Sequence, residues 1–414
     1  MKILMLNAHE SKGGAARAAR RICDALSQVG VDVQFQYVYP QAMGLRDKGR
    51  FLFRALRDRL PALLSARKRV MFSAGFVANP ALVAKINTSD ADIVHLHWVN
   101  AGALSIADLL RIEKPLIWTL HDNWAFTGGC HVMWDCQRYT SGCGACPVLG
   151  SGDAEDLSAR LYRRKRLIYE RLNLTFTCVS RWLAECAQAS GLTYDQNIAY
   201  LPNMIDCQRF TPGNQMLERE RLDIPLGRQI ILFGANAALR DANKGYVLLL
   251  SALADLPPDA DIELVFFGDS SSVDSIGGFP VRWMGHVADD AVLIALYRAA
   301  DVMVVPSLQE SFGQTALEAM ACGTPVVAFA ATGLVDIVDH QINGYLAKPY
   351  IASDIAQGIE WVLGHPDYPA LARAARVKAE SCFDQRHVAL QYLNLYERKL
   401  LEARKSCGHV ANDS

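Results

Sequence analysis

The chain has 414 residues, with 42 Lys and Arg against 43 Asp and Glu, and a formal net charge of −1. That length exceeds one ordinary core and fits two domains, and 51% hydrophobic with 21% charged residues is a globular composition. A charge this close to neutral excludes a general nucleic-acid binder, which needs a basic field, and no apolar run reaches the roughly 18 residues of a transmembrane helix. Residues 1–7 are too short an apolar stretch for a signal peptide. The expectation is a cytoplasmic protein whose eleven cysteines are buried, catalytic or metal-bound.

Short β-branched or aromatic runs alternate with amphipathic stretches. A strand is expected at 3–6, a helix at 15–29 and a strand at 31–38, then strands at 93–97, 116–120, 175–179, 230–233, 262–267, 302–305 and 325–329. The repeated strand-helix order implies parallel sheets covered by helices. The pattern pauses at 201–213, LPNMIDCQRFTPG, where Pro, Asn and Gly mark a linker. Two α/β domains are therefore expected, 1–202 and 203–385, with 386–414 a C-terminal helix packing back towards the first domain and fraying after about residue 406. There is no short-period internal repeat and no low-complexity tract.

Glu310-Ser-Phe-Gly-Gln-Thr-Ala-Leu-Glu318 follows an expected strand and opens an expected helix. Glu310 falls in the loop and Glu318 inside the helix. Gly313, Gln314 and Thr315 fall at the helix start, where free N–H groups and the dipole favour a phosphate. A carboxylate within the helix can accept from a ribose diol; solvated acids on an ordinary strand-loop-helix are the alternative. Lys244-Gly245 opens another helix after a strand, and the ammonium there is placed to neutralise a diphosphate. Arg240 is either a second such cation or a solvated loop residue. Ser11-Lys12-Gly13-Gly14-Ala15 joins the first strand to the first helix. Its glycines admit close backbone approach, without the G-x-G-x-x-G spacing of dinucleotide sites. His121 follows a strand, at the carboxyl edge where open α/β sheets bind ligands. Asp122 is a candidate to orient it, and His95 and His97 are expected to be packed or hydrogen-bonded behind it.

The order of these parts resembles glycosyltransferase family 4, retaining enzymes of the GT-B fold. That fold consists of two facing Rossmann-like, doubly wound α/β domains with parallel sheets and an interdomain cleft. The resemblance spans nearly the whole chain and takes in Pro202-Asn203, Gly268, Gly285-His286, and Tyr297 with Ala300-Asp301. It implies catalytic roles for His121, Glu310 and Lys244. It implies a donor site of Gly13, Gly14, Arg240, Lys244, His286, Glu310, Gly313, Gln314, Thr315 and Glu318, with Glu310 on sugar hydroxyls and Glu318 on ribose. The family's usual arginine after the strand glycine is replaced here by Ala235-Asn236. No convincing D-x-D metal site is present, so no cofactor is expected for catalysis. The implied partners are a nucleoside-diphosphate sugar and a glycan or lipid-linked oligosaccharide acceptor. The rival readings are a nucleotide-sugar epimerase or hydrolase on the same architecture, and a non-catalytic nucleotide-sugar-binding scaffold.

Cys130, Cys136, Cys143 and Cys146 fall within seventeen positions and end in C-x₂-C, the turn that structural zinc sites use. Structural zinc is expected, against disulfides or unrelated buried thiols; four thiolates would leave no open position for catalysis. This loop, 126–150, resembles one in the family 4 subset that makes bacterial exopolysaccharides, including colanic-acid-type transferases, and His131 is a spare ligand. Residues 46–69 hold nine Lys and Arg against two Asp, a net +7. Phe53, Leu56, Leu60 and Leu63 recur at helical spacing opposite Arg50, Arg54 and Arg57. The segment reads either as an amphipathic surface for an anionic inner membrane, reached from the cytoplasm, or as a helix packing its leucines on the domain. Pro61 interrupts it.

Overall fold

The computed structural model describes residues 1–10, 13–40, 42–63, 65, 71–234 and 239–410, the side chains of 406–410 excepted. Ser11 and Lys12, Ala235 and Asn236, 66–69 of the basic stretch and the last four residues lie outside the described residues. The chain divides into two compact units, Met1–Pro202 with Arg386–Ser414, and Asn203–Gln385.

The first unit is built on β1 (Lys2–His9), β2 (Asp32–Tyr39), β3 (Ile93–Leu96), β4 (Leu116–Leu120), β5 (Leu174–Cys178) and β6 (Asn197–Tyr200). They pair in the order β2-β1-β3-β4-β5-β6, every pair parallel. β3, β4 and β5 are buried along their whole length, as strands of a parallel sheet covered on both faces are. The chain leaves β1 towards β2 and returns to β3 on the other side of β1. The switch point, where such sheets bind ligands, lies between β1 and β3. The helix Gln385–Val410 lays Tyr392 and Tyr396 into this unit's core. Their hydroxyls lie 3.4 Å from Thr119 Oγ1 and 2.7 Å from His95 Nδ1, respectively.

The basic stretch forms one helix, Leu45–Leu63, that runs through Pro61. Its facing is the reverse of the packed-leucine expectation. The side against the unit carries Arg54 and the fully buried Asp58. Arg54 Nε donates to Gly102 O at 2.8 Å, and Asp58 Oδ1 accepts from Gly75 N at 2.7 Å. Gly102, at φ 73, permits this approach: a Cβ there would stand 2.9 Å from Arg54 O. Phe53, Leu56 and Leu60 point to solvent.

The second unit is built on β7 (Gln229–Gly234), β8 (Ile262–Phe267), β9 (Ser275–Ile276), β10 (Phe279–Trp283), β11 (Val302–Val305), β12 (Val326–Phe329) and β13 (Gly344–Ala347). The order is β13-β12-β11-β7-β8-β10-β9; only the β9–β10 pair is antiparallel. Ile231, Phe233, Leu264, Phe266 and Val304 pack with Leu249, Leu253, Ile355 and Ile359 of the covering helices. The chain passes from β7 to β8 on one side and later from β11 to β12 on the other. This sheet's switch point therefore lies between β7 and β11.

Among the described residues no helix is long and apolar enough to cross a membrane.

Candidate functional site

At the switch point of the second unit, Lys244 follows β7 and Glu310 follows β11. The structure joins them: Lys244 Nζ lies 2.6 Å from Glu310 Oε1, and Ser307 Oγ donates to the same oxygen at 3.0 Å. Oε2 has no donor among the described residues and is the acceptor left for a ligand. Burial works against the Lys244 charge, but the Glu310 carboxylate beside it wins and raises its pKa. An ammonium has three donors, and one of them is spent on Glu310.

Two loops hold this pair. Asn243 is buried; its Nδ2 donates to Gln309 O at 2.7 Å and its Oδ1 accepts from Gln309 N at 2.9 Å. Leu308 N donates to Asn243 O at 2.8 Å. Gly245, at φ 70, lets the loops meet, because a Cβ there would stand 1.8 Å from Pro306 O. That glycine serves loop-to-loop contact. Asn243 is the residue the sequence reading missed; its signal is its place before Lys-Gly, after the Asp241 side chain that accepts from its N–H at 3.0 Å.

The helix Gln314–Ala321 begins at Gly313 with no side-chain cap, so its first N–H groups suit an anion. Gly313, at φ 113, is also required by packing, since a Cβ would stand 2.6 Å from Leu334 Cδ2. Gln314 and Thr315 are half-buried at this start. Glu318 lies inside that helix. It is completely buried, and Tyr297 Oη donates to its Oε2 at 2.7 Å. Arg240 and His286 are both exposed. Arg240 has no side-chain partner among the described residues.

In the first unit, Gly13 (φ 87) caps the helix Gly14–Gln28. Both glycines are exposed, with open space where a Cβ would stand, which leaves room at these two positions for close backbone approach. At the ends of β3 and β4, His97 Nδ1 lies 3.0 Å from His121 Nε2, with the rings stacked at 5.3 Å. Asp122 does not orient His121. Its carboxylate accepts from Trp98 Nε1 at 3.0 Å and Trp124 N at 2.9 Å, and meets His131 Nδ1 at 2.7 Å. The orienting group is His97. Burial lowers the pKa of His121 to about 4 and holds His97 well below the usual value, so both rings are neutral near pH 7. His97 Nε2 is buried without a partner. An orphaned N–H is the rarer fault, which puts the proton on Nδ1, donating to His121 Nε2. His121 then carries its own proton on Nδ1, a tautomer deduced from the bonding pattern. That nitrogen is a hydrogen-bond donor, suited to a hydroxyl oxygen and not to proton abstraction. His95 is bonded at both nitrogens, to Tyr396 Oη and to Thr119 Oγ1, each at 2.7 Å.

Cys130, Cys136, Cys143 and Cys146 line one cavity of about 10 Å³, room for about one atom. All four are free thiols, and Gly128 N donates to Cys143 Sγ at 3.2 Å. Among the described residues, however, no group of three or more His, Cys, Asp or Glu is set to hold a metal ion. The four thiols share a cavity wall, and structural zinc among them is a proposal that metal analysis tests.

Two families match in succession. Glycosyltransferase Family 4 covers residues 12–209 and Glycosyl transferases group 1 covers 214–378. A glycosyltransferase of Methanocaldococcus jannaschii is 32% identical over 310 residues, which is 70% of this chain and 77% of that protein. D-inositol 3-phosphate glycosyltransferase of Pseudarthrobacter chlorophenolicus is 29% identical over 70% of this chain and 67% of its own length. Two further relatives of that name are covered over 65% and 63% of their lengths, so the chain spans about two thirds of these proteins. Anabaena HepE, solved with UDP and glucose, superposes with a TM-score of 0.67 at 19% identity over 96% of this chain and all of that one. Its fold is the GT-B architecture. With the two switch-point sites and the successive family matches, this shows that the chain belongs to the family 4 glycosyltransferases of the GT-B fold.

Proposed function

We propose that the chain is a retaining transferase that moves a hexosyl group from a nucleoside-diphosphate sugar to a lipid-linked glycan acceptor in bacterial surface-polysaccharide synthesis. The observation that carries this reading is the Lys244–Glu310 pair at the β7/β11 switch point. Lys244 offers its remaining donors to the diphosphate as charge grows on the leaving group. The uncapped start of Gln314–Ala321 supports the same charge. Glu310 Oε2 accepts from a sugar hydroxyl; in the first unit, His121 Nδ1–H is a donor suited to a hydroxyl oxygen. No side chain in this set is a nucleophile placed for a covalent intermediate. The reading therefore takes same-face substitution, with a leaving-phosphate oxygen accepting the acceptor's proton. HepE, whose structures hold UDP-glucose, favours a uridine diphosphate donor here.

Nucleotide release from UDP-glucose, measured with and without lipid-linked bacterial glycans, tests the reading. Release that depends on acceptor, with transfer of the sugar, is the expected result. Release at the same rate without acceptor makes the chain a hydrolase, and binding without release makes it a scaffold.

A further inference from the structure

The helix Leu45–Leu63 packs by its polar residues and turns its large apolar ones outward. Leu45 is 89% exposed, Leu52 63%, Phe53 60%, Leu56 54% and Leu60 48%. Nothing among the described residues covers them, and the helix is held from its other side by Arg54, Asp58 and Phe51. Arg54 reaches the carbonyls of Gly102 and Ala78. Asp58 takes the Gly75 N–H. The Phe51 ring lies 4.5 Å from that of Tyr39.

The positions around the helix are ordered. At about 100° per residue, with Phe51 at zero, Phe51, Arg54, Asp58 and Ala62 fall within a narrow inward arc. Leu45, Gly49, Leu52, Phe53, Leu56 and Leu60 fall between about 100° and 200°. Lys48 and Arg59 border that stripe on one side, and Arg46, Arg50 and Arg57 on the other. All five cations are exposed, and the Arg57 guanidinium stands 5.6 Å from the centre of the Phe53 ring. The two acids of the helix, Asp47 and Asp58, fall on the inward half. An apolar stripe bordered on both sides by long cationic side chains is the pattern of a helix lying in a membrane interface. The apolar residues enter the acyl boundary, and the Lys and Arg stems reach back to the headgroups.

We propose that Leu45–Leu63 is a docking surface for an anionic lipid bilayer. The charge selects the occupant: a neutral protein groove would match the leucines but not two flanking rows of cations. The lipid headgroups supply the anions, and the stripe supplies the reversible insertion. This surface needs no part of the donor site and stands or falls apart from the reading above. It adds a means by which such a transferase would meet a lipid-linked acceptor.

Flotation of the full chain with phosphatidylglycerol–phosphatidylcholine vesicles tests it. Binding to anionic vesicles, little to pure phosphatidylcholine, and release by 0.5 M salt are expected, since salt screens charges. Each basic residue at such a surface contributes about fivefold to binding. Arg50→Glu with Arg57→Glu should therefore weaken binding by at least about 25-fold. Leu52→Ser, Phe53→Ser and Leu56→Ser together should abolish it. These side chains are exposed, and an unchanged circular dichroism spectrum checks the fold. A Phe53→Trp variant should shift its fluorescence to the blue on anionic vesicles only. Equal binding to neutral vesicles, or binding unchanged in both multiple variants, overturns the proposal. So does a concentration-dependent dimer that the serine variants abolish without any vesicle binding, which would make the stripe a contact between copies of the chain.

Discussion

Acid should loosen the first unit before it touches the second, because three histidines at its sheet's carboxyl edge are held neutral. Burial lowers His95 to about 3 and His121 to about 4, and holds His97 well below its usual value. In the unfolded chain each titrates near 6.5. The unfolded state then binds more protons than the folded one below that value. Stability is full above about pH 6.5 and is lost as pH falls towards the folded values. Between pH 7.5 and 5.5 each histidine costs about 1.4 kcal/mol, or about 4 kcal/mol for three acting independently. That is a large share of a domain's usual margin. Urea unfolding at the two pH values, followed by pulsed hydrogen exchange on peptides spanning β3 and β4, measures it. His95→Gln removes one titrating group. Whatever it costs at pH 7.5, its loss between pH 7.5 and 5.5 should be about 1.4 kcal/mol smaller than that of the parent chain. Equal losses in both proteins would refute the reasoning, as would a first unit equally stable at both pH values.

Gly245→Ala places a methyl group 1.8 Å from Pro306 O. It should lower the stability of the second unit by about 2 kcal/mol or more, read by urea unfolding, and cut turnover by parting Lys244 from Glu310. His97→Leu should lower kcat by about tenfold or more, with little change in donor KM. His97→Asn, which keeps a donor near the Nδ1 position, should recover much of it. Nitrogen-15 shifts of His121 report its tautomer directly, and a proton on Nε2 would remove the role given to His97. Tyr297→Phe deprives the buried Glu318 of its hydroxyl donor and should cost about 1–3 kcal/mol, again by urea unfolding. The cysteine loop calls for metal analysis. The expected zinc gives one equivalent per chain, released by chelator with loss of first-unit stability. A folded, metal-free protein with four alkylatable thiols rejects it.

Strands buried on both faces were the legible part of the fold. Val302–Val305 reads directly as a continuous apolar run, and Ile262–Phe267 is apolar but for Glu263. The strands that escaped lie at or near sheet edges: Asn197–Tyr200 and Phe279–Trp283 are mostly half-buried, Ser275–Ile276 has two residues, and Gly344–Ala347 begins on a glycine. Edge strands are set by pairing with a neighbour, which no local pattern records. Residue types and order singled out Lys244 and Glu310, which the structure pairs, and His121, which it sets against His97. Partners were not legible, because they come from loops distant in sequence. Asn243 meets Gln309 66 positions away, and His97 meets His121 24 positions away. For the basic helix, spacing showed two faces but not which one turns inward. Arg54 and Asp58 decide that through carbonyls and amides of residues 75–102.

The central claim is that a nucleoside diphosphate sits on Lys244 at the β7/β11 switch point. Thermal unfolding of the parent chain and Lys244→Ala, each with UDP, GDP or no nucleotide, tests it most directly, because a ligand bound to the folded state raises the melting temperature by mass action. A rise with UDP is expected in the parent chain, larger than with GDP, that is lost or strongly reduced in Lys244→Ala while the nucleotide-free variant still unfolds cooperatively. An equal UDP-induced rise in both proteins would contradict it.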